Sequence, residues 1–145
     1  MKIYLAGAFF NSKDRGTISF LADALRKQGH KVYVPMEHPI KNAWDISNEE
    51  WGKRVFLEDV HAIVESDCMV AVITNGMNDD SGTIWEIGYA CGRLDVYTIH
   101  NYDFKKGVAS LMVWNGSTRN FSMDTIINNP NWPKLDKDTV SIEQK

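Results

Sequence analysis

Residues 68–74, Cys-Met-Val-Ala-Val-Ile-Thr, form an uninterrupted apolar run. This run limits the possible folds more than any other stretch of the chain. A strand with one face in water alternates apolar and polar residues, so a run without alternation needs cover on both faces. Strands covered in this way belong to parallel sheets whose crossover helices pack on either side.

The rest of the chain supplies strands and helices in alternation. Lys2–Ala6 reads as a short strand ended by Gly7. Residues 13–28 read as a helix, with Ile18, Leu21, Ala22 and Leu25 at helical spacing and Gly29 just beyond its end. A second strand at 31–35 stops at Pro35, and residues 36–46 form a polar loop. Ser47 and Glu50 make a capping box at the head of a helix over about 48–66, with Val55, Phe56, Val60, Ile63 and Val64 as its apolar face. After the 68–74 run come a loop at 75–82, a helix from Thr83 to about Leu94 carrying Ile84, Ile87, Cys91 and Leu94 on one face, and a strand at Val96–His100. Residues 107–114 suit a helix. The polar tail 128–145, with two prolines, suits a loop or a short edge element. The whole of 1–145 therefore reads as one α/β domain, a parallel sheet with helices on both faces. Such sheets bind ligands beyond the carboxyl ends of their strands, which directs attention to loops 7–12, 36–46 and 75–82.

Charge and composition narrow the ligand. A net charge of −3 without clustered Lys and Arg argues against a nucleic-acid partner. No run of about 18 apolar residues is present, so no membrane span is expected. No basic segment followed by an apolar one opens the chain, which points to the cytosol. Cys68 and Cys91 sit in apolar runs outside any CxxC pattern and read as buried reduced thiols. His30, His38, His61 and His100 lack metal-ligand spacing. Neither GxGxxG nor GxxxxGK[ST] occurs. Dinucleotide and P-loop chemistry therefore have no support, and the charge says little about small ligands.

The segment Asp79-Asp-Ser-Gly-Thr-Ile-Trp-Glu-Ile-Gly-Tyr-Ala90 carries the most chemistry. Asp80 and Ser81 stand where a helix cap belongs. Glu86 falls about a turn and a half into that helix, where the positive end of the dipole favours an ionised carboxylate, and its neighbours Trp85 and Ile87 are apolar. Spacing alone leaves two readings open, a surface glutamate that stabilises the helix start and a reactive acid at a ligand-binding edge. Asp59 and Asp67 are further acids, each equally suited to a solvated or capping role. Paired carboxylates do have a use at a glycosidic carbon: one attacks or stabilises the cationic centre while another protonates the leaving group. Gly7 permits close backbone approach to a ligand. Phe9 and Phe10 could wall a flat base or simply fill the core.

Lys2-Ile-Tyr-Leu-Ala-Gly-Ala-Phe-Phe10, then Asp59, then Asp80-Ser-Gly-Thr-Ile-Trp-Glu-Ile-Gly-Tyr-Ala90, in this order and spacing, resemble the nucleoside 2-deoxyribosyltransferase family from residue 2 to about residue 115. The resemblance implies a flavodoxin-like, doubly wound sheet of five parallel strands. It also implies a double displacement without cofactor or metal. Glu86 corresponds to the glutamate that attacks C1′ of a 2′-deoxynucleoside, and Tyr4 to the tyrosine that orients it. Asp59 and Asp80 correspond to the acids that contact the base and assist its departure. Gly7, Phe9, Phe10 and Gly82 fall among the substrate-binding positions. A homo-oligomer, a hexamer by analogy, with active sites shared between subunits, is implied as well.

Two positions depart from the family pattern. Where the family has Asn in an Asn-Leu-Met motif that reaches the sugar 5′-OH of a neighbouring subunit, this chain has Ser110 in Ser110-Leu-Met112. Where a glutamine often follows the second strand, Glu37, His38 and Pro39 stand instead. Three functions are therefore weighed: base exchange on deoxynucleosides, hydrolysis of nucleosides or their 5′-monophosphates on the same fold, and a non-catalytic nucleotide-binding domain. The acid-rich loops lead us to expect a 5′-phosphate to be disfavoured.

Overall fold

The structure, a computed structural model, describes residues 1–103 and 109–129, and all structural statements concern these. Five strands, β1 (Lys2–Ala6), β2 (Lys31–Tyr33), β3 (Cys68–Ile73), β4 (Asp95–His100) and β5 (Arg119–Ser122), form one sheet in the order β2-β1-β3-β4-β5. Every neighbouring pair is parallel. This is the flavodoxin-like doubly wound order, with its switch point between β1 and β3. The central strand β3 is buried along its entire length, as its unbroken apolar run requires.

Two cores lie on opposite faces of the sheet. On one, Ile18, Leu21, Ala22 and Leu25 of α1 (Ser12–Lys27), with Met123 and Ile126 of α5 (Met123–Ile127), cover Ile3, Leu5, Val70 and Val72. On the other, Ile63 of α2 (Asn48–Glu65), Ile87 and Ala90 of α3 (Ser81–Ala90) and Val113 of α4 (Leu111–Gly116) pack on Tyr4, Ala6, Met69, Ala71 and Ile73. Local chemistry sets the helix ends. The Asn11 side chain caps α1 through the Asp14 amide, and the Ser47 hydroxyl accepts from the Glu50 amide at 3.1 Å. Gly29 follows α1 at φ +89°, a conformation that favours glycine. No described helix is long and apolar enough to cross a membrane.

Several expectations need correction. The third helix ends at Ala90 rather than Leu94, because Gly92 turns the chain at φ +80° and Cys91 and Leu94 form an isolated β-bridge. Cys91 is consequently only partly buried, its Sγ directed at the Gly116 carbonyl, whereas Cys68 is buried as expected. The proposed inner face of α2 is largely outward: only Ile63 is buried, while Phe56 and Val64 are exposed. Strand β5 falls in a stretch without a clear periodic signal. The helix expected over 107–114 is seen as α4 from Leu111, with 107 and 108 outside the described residues, as is the tail from 130 onward.

Gly7 serves packing. A Cβ built there would lie 2.7 Å from Ile18 Cδ1 and 3.3 Å from Val72 Cβ, so α1 sits against the sheet across the missing side chain. The Ile18 terminus can swing aside, but Val72 belongs to the buried strand. Gly7→Ala should therefore destabilise the fold by about 1–2 kcal/mol, measured as a lower urea midpoint with an unchanged m-value.

Candidate active site

Tyr4 leaves β1 on the face covered by α2 and α3, where it is fully buried. A phenolic hydroxyl in such a layer needs a partner, and it donates a hydrogen bond to Glu86 Oε2. Glu86 reaches Tyr4 because α3 is seated on the sheet through Thr83, Ile87 and Ala90, which turns the sixth helical residue inward and across. A cavity of about 260 Å³ opens beside this pair, between α2 and α3, lined by Phe56, Asp59, Val60, Ile63, Gly82, Trp85 and Glu86. Three expected residues, Asp59, Gly82 and Glu86, thus meet at one small hollow, with Tyr4 behind it.

The carboxyls there are hard to ionise. Burial pushes Glu86 up to about 7, with the negative charges of Asp59 and Asp80 adding to the rise and the Tyr4 hydrogen bond opposing it. The helix dipole, expected to keep Glu86 ionised, is outweighed by burial and these two acids. Asp59 is raised to about 6, chiefly by burial and then by Glu58, with His38 pulling the other way. The Tyr4 phenol is pushed far above its ordinary range by burial and by Glu86, so the shared proton stays on the tyrosine.

Asp80 caps α3. Its Oδ2 accepts from the Thr83 amide at 2.9 Å and the Thr83 hydroxyl at 2.8 Å. A Cβ at Gly82 would lie 3.3 Å from the same oxygen. Asp79, not singled out from the sequence, fixes the loop that brings Asp80 in. It accepts from the amides of Thr74 at 2.6 Å, Asn75 at 2.9 Å and Asp80 at 2.8 Å. Asp67 lies at the amino end of the sheet, bound to the Lys2 amide at 2.7 Å, and takes no part in the cavity.

Other candidates stand apart from this hollow. Phe9 and Phe10 are not core. They stack on each other at 5.7 Å, exposed after β1, and neither lines the cavity. Ser110 caps α4, accepting from the Met112 amide at 3.3 Å, and within one chain it is not among the residues beside Glu86. No described cluster of three or more His, Cys, Asp or Glu could hold a metal ion.

The sequence reading missed Tyr33. It pairs in register with Tyr4, stacks on it at 5.6 Å, and its phenol is raised to about 12 by burial and by the charges of Asp59, Glu58 and Glu86. Only strand register, which places Tyr4 and Tyr33 side by side on one face, could have revealed it.

The model of the family described as nucleoside 2-deoxyribosyltransferase matches residues 3–115. Among solved structures, a 2-deoxyribosyltransferase from the psychrotolerant bacterium Bacillus psychrosaccharolyticus is 27% identical. That match covers 91% of this chain and 93% of the other, with a TM-score of 0.77. A conserved protein from Enterococcus faecalis V583 is 26% identical, with 68% and 62% covered and a TM-score of 0.58. Among curated proteins, none matches the chain.

The raised Glu86 carboxyl has a consequence for stability. The folded chain holds this proton more tightly than the unfolded chain, whose value is the ordinary 4.5. The resulting stabilisation is complete below that value and lost as pH rises through about 7. Glu86→Gln mimics the protonated acid at every pH. Allowing for partial exposure, we expect it to exceed the parent by about 1–2 kcal/mol near pH 8 and to match it near pH 4, measured by urea unfolding.

Proposed function

Because this chain belongs to the nucleoside 2-deoxyribosyltransferase family, a family of pentosyl-transferring enzymes, we propose that it exchanges the base of a 2′-deoxynucleoside through a covalent deoxyribosyl–Glu86 intermediate. The observation that carries this reading is the Tyr4–Glu86 pair at the wall of a hollow that also holds Asp59. Tyr4 fixes one carboxylate oxygen and leaves the other for attack on C1′. The bond from C1′ to the base nitrogen breaks, its electron pair leaves with the base, and a carboxyl proton neutralises that base. A second base then attacks C1′ from the face the first one left and returns its N–H proton to the carboxylate that protonated the first. The Glu86 oxygen departs as carboxylate, and configuration is retained by two inversions. Asp59 is the second carboxyl of the hollow, raised to about 6, and it gives the proton in the one-proton state in which Glu86 is the ionised partner. Asp80, with one oxygen committed to Thr83, suits positioning and proton sharing with the base.

A homo-oligomer with shared sites is part of the proposal. Trp44, Phe56, Leu57, Val64, Leu111 and Met112 are exposed in the single chain and offer apolar surface to a neighbouring copy. Ser110 lies next to two of them and would enter a neighbour's site. A dilute monomer with full activity would contradict this.

Incubating a deoxynucleoside with a different free base and following the new nucleoside by chromatography tests the reaction. Exchange is expected, whereas free sugar and base alone would favour hydrolysis. Glu86→Gln should lower the rate by several orders of magnitude with the fold intact. The cavity lining contains two acids and no Lys or Arg, so deoxynucleosides should exceed their 5′-monophosphates in kcat/KM. A preference for the monophosphate would promote the hydrolase reading.

The pH profile gives an independent check. The reaction needs one proton between the two carboxyls, so kcat/KM should be highest between about 6, the Asp59 value, and about 7, the Glu86 value. Asp59 raises that value by its charge. Asp59→Asn, which leaves Glu86 as the one carboxyl lining the cavity, should remove the alkaline limb and slow bases that leave poorly more than those that leave well.

A further inference from the structure

Three nearly parallel rings run from the core to the surface. Tyr4 and Tyr33 are in register on neighbouring strands, their centroids 5.6 Å apart and their planes 16° from parallel. The chain then makes a single 3-10 turn at Pro35–Glu37 and folds back, which lays the His38 imidazole on the outer face of Tyr33 at 4.3 Å and 4°. Burial falls along the column. Tyr4 is enclosed, Tyr33 is partly buried and His38 is exposed.

The surroundings explain why the column needs an outer member. β2 is the edge strand, and α2 covers β1 rather than β2. An open groove of about 940 Å³ separates β2 from α2, lined by Tyr33, His38, Lys41, Arg54 and Glu58 among others. Tyr33 thus lacks a helix on its outer side. The imidazole takes that place, and through Tyr33 it bears on the one ring whose hydroxyl holds Glu86.

We propose that His38 is a positioning residue for the transfer reaction: its ring closes the open side of Tyr33, Tyr33 in turn fixes Tyr4, and Tyr4 aims Glu86. This rests on the reading of Glu86 as the nucleophile. What the proposal asks of His38 is a flat face at van der Waals distance. The charge of His38 also acts on Asp59, so a test must separate ring from charge.

His38→Ala removes both, whereas His38→Phe removes the charge and keeps the face. Both changes fall on an exposed loop residue, where folding is not at stake. In the exchange assay on the full chain, His38→Ala should lower kcat about three- to tenfold with little change in KM, the scale set by one stacked pair. His38→Phe should restore most of it. A second readout needs no substrate, namely the titration of the Glu86 carboxyl followed by carbon NMR with labelled glutamate and assigned by Glu86→Gln. The Tyr4 hydrogen bond lowers the Glu86 value, so loosening the column in His38→Ala should move the midpoint up, and His38→Phe should leave it near the parent's. If the parent exchanges no bases, the proposed function falls, and the titration still decides the column. The positioning role is overturned if His38→Phe is as slow as His38→Ala, or if His38→Ala leaves both kcat and the Glu86 midpoint unchanged.

Discussion

Tyr4 and Glu86 occupy a layer built for apolar side chains, between the sheet and the α2–α3 pair. Each would be costly there alone, the phenol because its donor would lack an acceptor and the carboxylate because it would lack water. Together they satisfy one another, and much of the local structure follows from keeping them so. The helix α3 must start where it does for its sixth residue to face Tyr4. It starts there because Asp80 caps it. Asp80 is in place because Asp79 gathers three amides of the loop behind β3. The buried strand β3 thus delivers a loop that fixes a cap, the cap fixes a helix, and the helix fixes the acid.

Much of this was legible in the sequence because period and punctuation carry it. An unbroken apolar run of seven residues, short for a helix and rich in β-branched residues, suits a doubly covered strand, and residues such as Ser47, Gly29 and Asp80 mark helix ends through side-chain or backbone chemistry that needs no tertiary context. The fifth strand was different. Arg119–Ser122 has two buried residues and no alternating run of its own, and it is a strand because β4 offers it a parallel ladder. The true end of α3 was also hidden: Leu94 sits at the right period but is drawn into a bridge past Gly92. Periodicity likewise reports that α2 has apolar residues, and it does not say what covers them. Phe56 packs on Trp85 at the cavity mouth and Val64 is exposed.

For the site, spacing could nominate Glu86 and the resemblance could add Tyr4, Asp59 and Asp80. Neither could supply Tyr33 or His38, since their relevance comes from register and from a turn that folds back over an edge strand. The ionisation of Glu86 depends on more than the helix start for a related reason. A helix dipole acts over the first turn and is worth a fraction of a kcal/mol to about 2 kcal/mol, whereas desolvation and two nearby acids are three-dimensional facts that no linear reading contains.

Raised carboxyls are a cost in a folded protein near neutral pH, and their placement is best understood through the reaction proposed for them. Base departure needs one carboxylate able to attack and one carboxyl able to give a proton, at the same pH and within the same hollow. Identical acids in identical surroundings would ionise together. Here burial holds both Asp59 and Glu86 in the range from about 6 to about 7, and the charge of Asp59 raises Glu86 further. Adding the first negative charge therefore makes the second harder to add, and the mixed state with one proton for two carboxyls becomes the populated one over a window of pH. The Tyr4 hydrogen bond favours the charged form of Glu86 and so narrows the gap to Asp59, the lower of the two, without closing it. The repulsion that weakens the fold is the same interaction that keeps one proton in the hollow for the departing base, and the Tyr4 hydrogen bond, made to Glu86, distinguishes the nucleophile from its chemically similar neighbour.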